Sequence, residues 1–422
     1  MTSSRMLNLN QFDLTIVGAG PTGTLAALSA TKSLHPKTIC LLDQRKTIGK
    51  PDHCAGLLSI TGLKRLGLEN LPSEVIQNSS VYGAKFYSPS GRSFSVKRPT
   101  PQALVVNRAL FDQHLLKLVQ KKGCNIRLNQ QVKNIHFQKR KQKLHLYALS
   151  RDCLPQKKII HYKSKIAIIA EGQQGRLSHS LGFESVSSKN KLPATQVIVE
   201  GIKDLDQSKV EVFFSNKIAP GFFAWIIPLS DTSAKVGLAS QKGNAWKRLQ
   251  YFLRKYSLTK KRFSKGIIKK RFGGVVIIDG PIKRTSTTGL LVVGDAAGQT
   301  KATTGGGVIT GGIASTIAGE VASSGVKAND NSREFLKKYD QSWKQQLSKQ
   351  LQSMVLLRKL VNRLSDKSLD KSFETIIKNN LDRIISEKGD IDNQAEIIFN
   401  LLSNPSVISL GFKIIPDLFL KS

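Results

Sequence analysis

The run Gly18-Ala19-Gly20-Pro21-Thr22-Gly23 constrains this chain more than any other stretch, because of what flanks it. Asp13 to Val17 is a short apolar run of the kind a buried parallel strand shows, and Leu25 to Ala30 is small and helix-compatible. A second apolar strand, Thr38 to Leu42, ends at Asp43. Together they read as one βαβ unit. Gly18 makes the tight turn, Gly20 lets the backbone approach a pyrophosphate, and Gly23 lets helix and strand pack closely. The helix N-terminus then faces the phosphates. Asp43, about 20 residues after Gly23, stands where a carboxylate accepts hydrogen bonds from ribose hydroxyls. A dinucleotide site is the expectation.

Lys165 to Ala170 and Gly289 to Asp295 repeat the parallel-strand style, whereas residues 193 to 275 alternate, as in Gln196 to Glu200 and Val210 to Phe214, with Gly/Pro turns. The fold class expected is α/β (α+β overall): a Rossmann-like nucleotide domain, discontinuous over 10–80, 100–190 and 276–328, with an inserted antiparallel-sheet domain from 81–99 and 191–275. A charged helical region follows over 329–422. Helices are expected near Leu57 to Leu66, from Ala109 to Gln120 and from Val308 to Val321. The basic run Gln138 to Lys143 reads as the solvated turn of a hairpin.

The chain has 422 residues, enough for two or three domains with real cores. Its four cysteines, Cys40, Cys54, Cys124 and Cys153, form no close pair, so neither a zinc site nor a disulfide framework is expected, and no metal. No apolar stretch is long enough to cross a bilayer and the N-terminus lacks a signal-peptide core, so a cytoplasmic protein is expected. Lys and Arg total 65 against 29 Asp and Glu, a formal charge of +36. Such a surplus favours phosphate partners or reflects a lysine-rich proteome, and it is spread along the chain rather than gathered in one tract. No DNA- or RNA-binding motif accompanies it, so no specific nucleic acid is expected.

A second glycine block runs from Gly294-Asp295 to Gly305-Gly306-Gly307. A buried strand delivers Asp295, and the glycines open a helix whose N-terminus can face an anion. Two such loops imply a large cofactor held at both ends.

The two glycine blocks and the intervening Arg108 are similar to those of FAD-binding proteins of the para-hydroxybenzoate hydroxylase fold. Within that fold the chain most resembles the geranylgeranyl reductase family, particularly the archaeal digeranylgeranylglycerophospholipid reductases. Lys50 to Gly56, the Thr303 to Gly307 run, and Phe223-Ala224-Trp225-Ile226-Ile227-Pro228 followed by Gly237-Leu238-Ala239 carry the narrower likeness. Five positions depart from the family pattern: Asp43, where FAD-binding members more often carry Glu, and Ala55, Ala302, Ile227 and Ala239. Phe-x-Trp-x-Ile-Pro is also similar to the flavin-dependent halogenases, which carry Trp where this chain has Phe223.

The resemblance implies FAD, with Arg108 near its pyrophosphate, and a reductase that saturates carbon–carbon double bonds of a polyprenyl lipid. Hydride would come from reduced flavin and a proton from elsewhere, with NAD(P)H, ferredoxin or another reduced carrier as electron donor. Cys54 and Trp225 are the implied catalytic residues, and Phe223, Trp225 and Pro228 the substrate contacts. Phe213, Phe214, Phe222, Ile226 and Ile227 are either tunnel lining or core, and His53 is either a proton source or an exposed loop residue. An anionic membrane surface is the implied docking partner, with the protein peripheral on the inner face of the cell membrane. An aromatic hydroxylase or halogenase on the same cofactor is the alternative, and a nucleic-acid-binding protein on a flavoprotein fold a remote one.

Overall fold

The computed structural model describes residues 10–388 apart from His53 and 153–157, together with Asp392. His53, Cys153 and the apolar stretch 397–420 lie outside the described residues.

Strand Gln11–Val17 is the centre of the first sheet, with Ile159–Ile169 on one side and Ile39–Leu42 on the other, both parallel to it. Val17 is the partner of both Ile169 and Leu42, so three strand ends come level where the glycine turn begins. Leu290–Val292 and Asn125–Arg127 extend the sheet at either side in the same direction. The hairpin Gln130–Gln138/Lys143–Ser150 joins it antiparallel, and Lys139–Lys141 forms its turn. Burial of both faces explains why these strands read as unbroken apolar runs.

A second, seven-stranded sheet runs Ile267–Ile277, Lys191–Glu200, Ser233–Ala239, Ala224–Pro228, Lys209–Phe213, Gly83–Tyr87, Ser93–Lys97. Its neighbours are antiparallel except Lys209–Phe213 beside Gly83–Tyr87. One face is covered by helix Ala245–Arg254, whose Leu249, Phe252 and Leu253 pack on Val236, Leu238 and Ile226. The other face is turned toward the first sheet.

The helix expected near Leu57 to Leu66 is shorter than the spacing suggests. Leu57–Ser59 is drawn into a strand beside Ala103–Val106, and Ser59 then caps helix Ile60–Arg65 by accepting the Gly62 N–H at 3.1 Å. Arg108–Lys121 is helical as expected, with Asn107 as its N-cap. Val308–Lys327 runs past Val321 because its apolar face continues along the first helix, Pro21–Ala30. Helices Arg333–Arg363, Asp366–Lys378 and Leu381–Lys388 follow. Leu336, Tyr339, Trp343, Leu347, Leu351 and Met354 form the buried stripe of the longest of them.

The helix pair Pro21–Ala30 and Val308–Lys327 packs without side chains at its closest point. A Cβ added to Gly319 would stand 2.4 Å from the Ala26 carbonyl oxygen and 2.8 Å from the Ser29 Cβ. Gly319→Ala gains at most about 1 kcal/mol of helix propensity, whereas forcing two backbones apart costs about 1–3 kcal/mol. The variant is therefore expected to be destabilised, and urea unfolding followed by circular dichroism measures it; a stabilised variant would contradict this packing.

Candidate active site

The two sheets enclose a cavity of about 1540 Å³. One end is the first glycine turn. Gly18 sits at φ +107°, and a Cβ there would lie 2.2 Å from the Ala170 carbonyl oxygen; one on Gly23 would lie 1.8 Å from the Gly18 oxygen. Gly20, in contrast, borders the cavity, with Arg45 Nη2 the nearest atom a Cβ would meet, at 3.9 Å. The helix after it has no side-chain cap, so its first-turn N–H groups are available to an anion.

Asp43 is not a lone acceptor at this end. Its carboxylate accepts the Ala19 N–H at 2.8 Å, and Arg45 donates to both its oxygens, Nε at 2.9 Å and Nη2 at 2.8 Å. Asp43 thus serves the turn and the cavity wall together, and Arg45, which sequence reading passed over, is its fork-shaped partner.

The opposite wall is the second glycine block. Asp295 lies in the turn Gly294–Ala297, and a Cβ on Gly307 would come within 2.7 Å of its Oδ1. Gly305 has φ +72° and room for no side chain, since a Cβ would meet Val276 at 2.4 Å. Gly307 caps helix Val308–Lys327 without a side-chain bond, so a second set of N–H groups opens on the cavity. Burial pushes the Asp295 carboxyl above the usual range, with Arg108 and Lys191 pulling the other way.

Between these ends stands the loop of Cys54. Its N–H donates to Asp52 Oδ1 at 3.2 Å, and its sulfur accepts the Gly56 N–H at 3.4 Å. Arg108 pairs with Asp112 at 2.9 Å, as their i,i+4 spacing allows, and also reaches the Cys54 sulfur. The ion-pair and cavity readings of Arg108 therefore coexist. Burial lowers the Arg108 affinity for its proton, but Asp112 and Cys54 more than restore it.

Lys235 is a residue that sequence reading missed. It is 1% exposed, and its Nζ donates to the Ala55 carbonyl at 2.8 Å and the Val106 carbonyl at 3.0 Å, tying the Cys54 loop to the second sheet. The signal was available: Lys235 is in phase with Gly237 on a strand whose alternate residues point one way.

Alternation also sorts the aromatic wall. Phe214, Phe222, Phe223, Trp225 and Ile227 line the cavity. Phe213 and Ile226 belong to the core under helix Ala245–Arg254, Phe213 stacking on Tyr87 at 4.3 Å. Pro228, expected to contact substrate, is buried one residue out of phase with Trp225 and Ile227, so the pleat turns it from the cavity. Trp225 lies over Gly237, its cross-strand partner, where a Cβ would meet the indole at 2.6 Å, and its Nε1–H donates to Gln196 Oε1 at 3.0 Å. The Trp and the later Gly of the sequence block are thus a single contact.

This architecture, two sheets over a cavity with a glycine turn at each end, defines the class of flavoprotein-fold oxidoreductases. A geranylgeranyl bacteriochlorophyll reductase-like structure from Thermoplasma acidophilum superposes with TM-score 0.82 at 23% identity, over 97% of this chain and 99% of that one. The myxobacterial chondrochloren halogenase, an FAD-dependent enzyme, shares the fold at TM-score 0.68 and 16% identity, over 97% of each chain. Residues 192–275 match the geranylgeranyl reductase catalytic domain. The digeranylgeranylglycerophospholipid reductase of Methanocaldococcus jannaschii is 32% identical over 79% of this chain and 83% of its own length, and one from Methanosphaera stadtmanae 31% identical over 78% and 79%. The chain belongs to the geranylgeranyl reductase family.

Burial, opposed by Asp52 and Cys54, lowers the Lys235 ammonium from its ordinary 10.5 to about 8. Between those values the unfolded chain holds a proton that the folded one does not. This group's contribution to stability therefore rises with pH across that window and is flat below it. Lys235→Met removes the titration and leaves two buried carbonyls unpaired, at a cost of about 1–3 kcal/mol. The stability gap between wild type and variant is expected to widen from pH 7.5 to pH 10, measured by urea unfolding; a constant gap would show that Lys235 is not held this way.

Proposed function

We propose that this protein is an FAD-dependent reductase that saturates the double bonds of geranylgeranyl chains, with a digeranylgeranyl glycerophospholipid as its substrate. The observation that carries the reading is the placement of Cys54 and the aromatic face of Phe223 and Trp225 in one cavity with both glycine turns. The residues fit the dinucleotide: Gly20 leaves bare backbone on the cavity where a side chain would project, Gly18 and Gly23 hold the turn by contacts that admit no side chain, and two uncapped helix N-termini face it. The first would take the pyrophosphate, Asp43 with Arg45 the ribose, and Asp295 with Gly305, Gly306 and Gly307 the far end. Reduced flavin supplies hydride when bound.

The protein's own part is positioning and proton control. An isolated alkene offers no polar handle, so the aromatic wall must hold the reacting carbons by shape. Cys54, kept in place by Asp52, Gly56 and Arg108, stands where a proton can be held beside that wall. Lys235 fixes the loop from behind.

A membrane lipid substrate also gives the positive charge a partner. Among the described residues no helix is long and apolar enough to cross a membrane. The edge strand Ile267–Ile277 instead exposes Ile267, Ile268 and Val275 beside Lys269, which pairs with Glu200 at 3.2 Å, and the exposed Lys270 and Arg271, and Val275 borders the cavity. Each such cation near an anionic bilayer contributes about 1 kcal/mol. Flotation with anionic liposomes is expected at low salt and to be lost at high salt; binding to neutral liposomes alone would remove the electrostatic part of this reading.

Dithionite-reduced, FAD-loaded protein is expected to add two hydrogens per double bond to digeranylgeranyl glycerophospholipid under anaerobic conditions, read by mass spectrometry. Cys54→Ala should keep the flavin spectrum and lose turnover at least about a hundredfold, the lower end of the range for a proton-transfer residue. An unchanged lipid mass with bound flavin would sink the reading and turn attention to oxygen- or halide-dependent chemistry on small aromatics.

A further inference from the structure

The contact of Trp225 on Gly237 has a third member. Phe272, Gln196, Gly237 and Trp225 are partners across four neighbouring strands and so form one row of the second sheet. Because Gly237 has no side chain, the indole lies across it and donates to Gln196 Oε1 at 3.0 Å. Val197 and Val199, out of phase with Gln196, belong to the core under helix Ala245–Arg254. Gln196 itself borders the cavity and is 5% exposed.

The indole fixes which way the amide faces. An indole N–H only donates, so Gln196 must turn its oxygen to Trp225 and its NH2 group away. That NH2 group has no hydrogen-bond partner among the described residues, and it keeps accessible surface where Gln196 borders the cavity. A hydrocarbon chain laid against it would strand a desolvated donor, at a cost in free energy that an acceptor removes. The space opposite Gln196 therefore suits an acceptor and not the prenyl chain. Its place in the sheet says which acceptor. In the next row on this face, Lys235 holds the Cys54 loop at Ala55. In the other direction Val276, four residues beyond Phe272 and so about 13 Å away, is the residue against which Gly305 of the second glycine block packs. Gln196 thus lies between the anchor of the Cys54 loop and the turn that would take the far end of the dinucleotide.

We propose that Gln196 is a positioning residue with two partners: its carbonyl oxygen holds the Trp225 indole, and its NH2 group donates to a ring carbonyl of the flavin. One amide thereby sets the aromatic wall, along which the prenyl chain lies, in register with the ring that supplies hydride. The acceptor rests on the FAD-dependent reductase reading above, and the direction of the donor on the indole.

Infrared difference spectra of the FAD-loaded protein, oxidised minus reduced, test it without turnover. Gln196→Met keeps the length of the side chain and loses both bonds, so a flavin ring-carbonyl stretch is expected to move upward. Hydrogen bonds to charged groups are worth more than neutral ones, and the reduced ring carries the negative charge. Reduced FAD should therefore lose roughly tenfold more affinity than oxidised FAD, a fall of about 30 mV in midpoint potential. The Trp225 indole N–H resonance, one of three in the chain and assigned with Trp225→Phe, should move as well. A displaced indole signal with the carbonyl stretch and the potential unchanged would reduce Gln196 to a bracket for Trp225 and overturn the proposal. A shifted stretch with the indole signal in place would overturn the register between wall and ring. If Gln196→Met does not fold, Gln196→Glu keeps an oxygen for the indole, and its ionised carboxylate has no proton to donate. In alkaline buffer the same upward shift is then expected with the indole signal unmoved, and an unshifted stretch overturns the proposal. Reduction of the lipid with an unmoved stretch removes the role of Gln196 alone. The full set of shifts without reduction of any prenyl lipid would leave Gln196 standing and remove the reductase reading.

Discussion

The contact of Gly23 against the carbonyl of Gly18 is the constraint on which the rest of the structure depends. It is backbone against backbone, at a distance no side chain tolerates, and it fixes where helix Pro21–Ala30 begins relative to the ends of three parallel strands. That helix in turn receives Val308–Lys327 through another bare backbone contact, at Gly319. Two helix N-termini are thereby aimed into one cavity from different walls. The partial positive charge of each follows from packing that involves almost no side-chain chemistry, which leaves the side chains in between free to differ in role.

Those side chains are organised by how their charges are balanced. Asp43 with Arg45 and Asp112 with Arg108 are bidentate pairs whose geometry leaves little slack. Removing one member of such a pair strands the other, which is why buried pairs resist substitution more than their net worth suggests. Lys235 is balanced differently, by two carbonyls, and so ties the loop at Ala55 to the strand at Val106. Cys54 thus sits on a loop held on one side by an ion pair and on the other by an ammonium, a rigid setting for a small side chain.

Most of the architecture was legible in the chain because its signals are local. The glycine turn with its strands, the alternating segments after 191 and the hairpin at 138–143 each announce themselves within a dozen or so residues, as strand and turn periodicities do. Local reading went astray where a distant strand intervened, as when Ala103–Val106 drew Leu57–Ser59 out of the expected helix. It also grouped Pro228 with Phe223 and Trp225 and left Phe213 and Ile226 between tunnel and core, where the pleat gives alternate residues to cavity and core. The missed residues Arg45 and Lys235 share a cause. A charged residue on an apolar face looks like an exposed one until its partner is visible in space.

The parallel pairing of Gly83–Tyr87 with Lys209–Phe213 has a consequence for how the chain reaches this state. The second sheet cannot be completed by the contiguous stretch from 191 to 277, because two of its strands arrive from far upstream across the nucleotide-binding region. Such non-local pairing places sheet closure late in folding, after loop-closure entropy has been met. Until then the Lys209–Phe213 strand is an unpaired edge, and the alternating apolar face beside it is open to intermolecular pairing. Production of the protein, or of fragments cut at apparent domain boundaries, is thus governed by an early-synthesised hairpin at 83–97 acting as the lid of a sheet made much later.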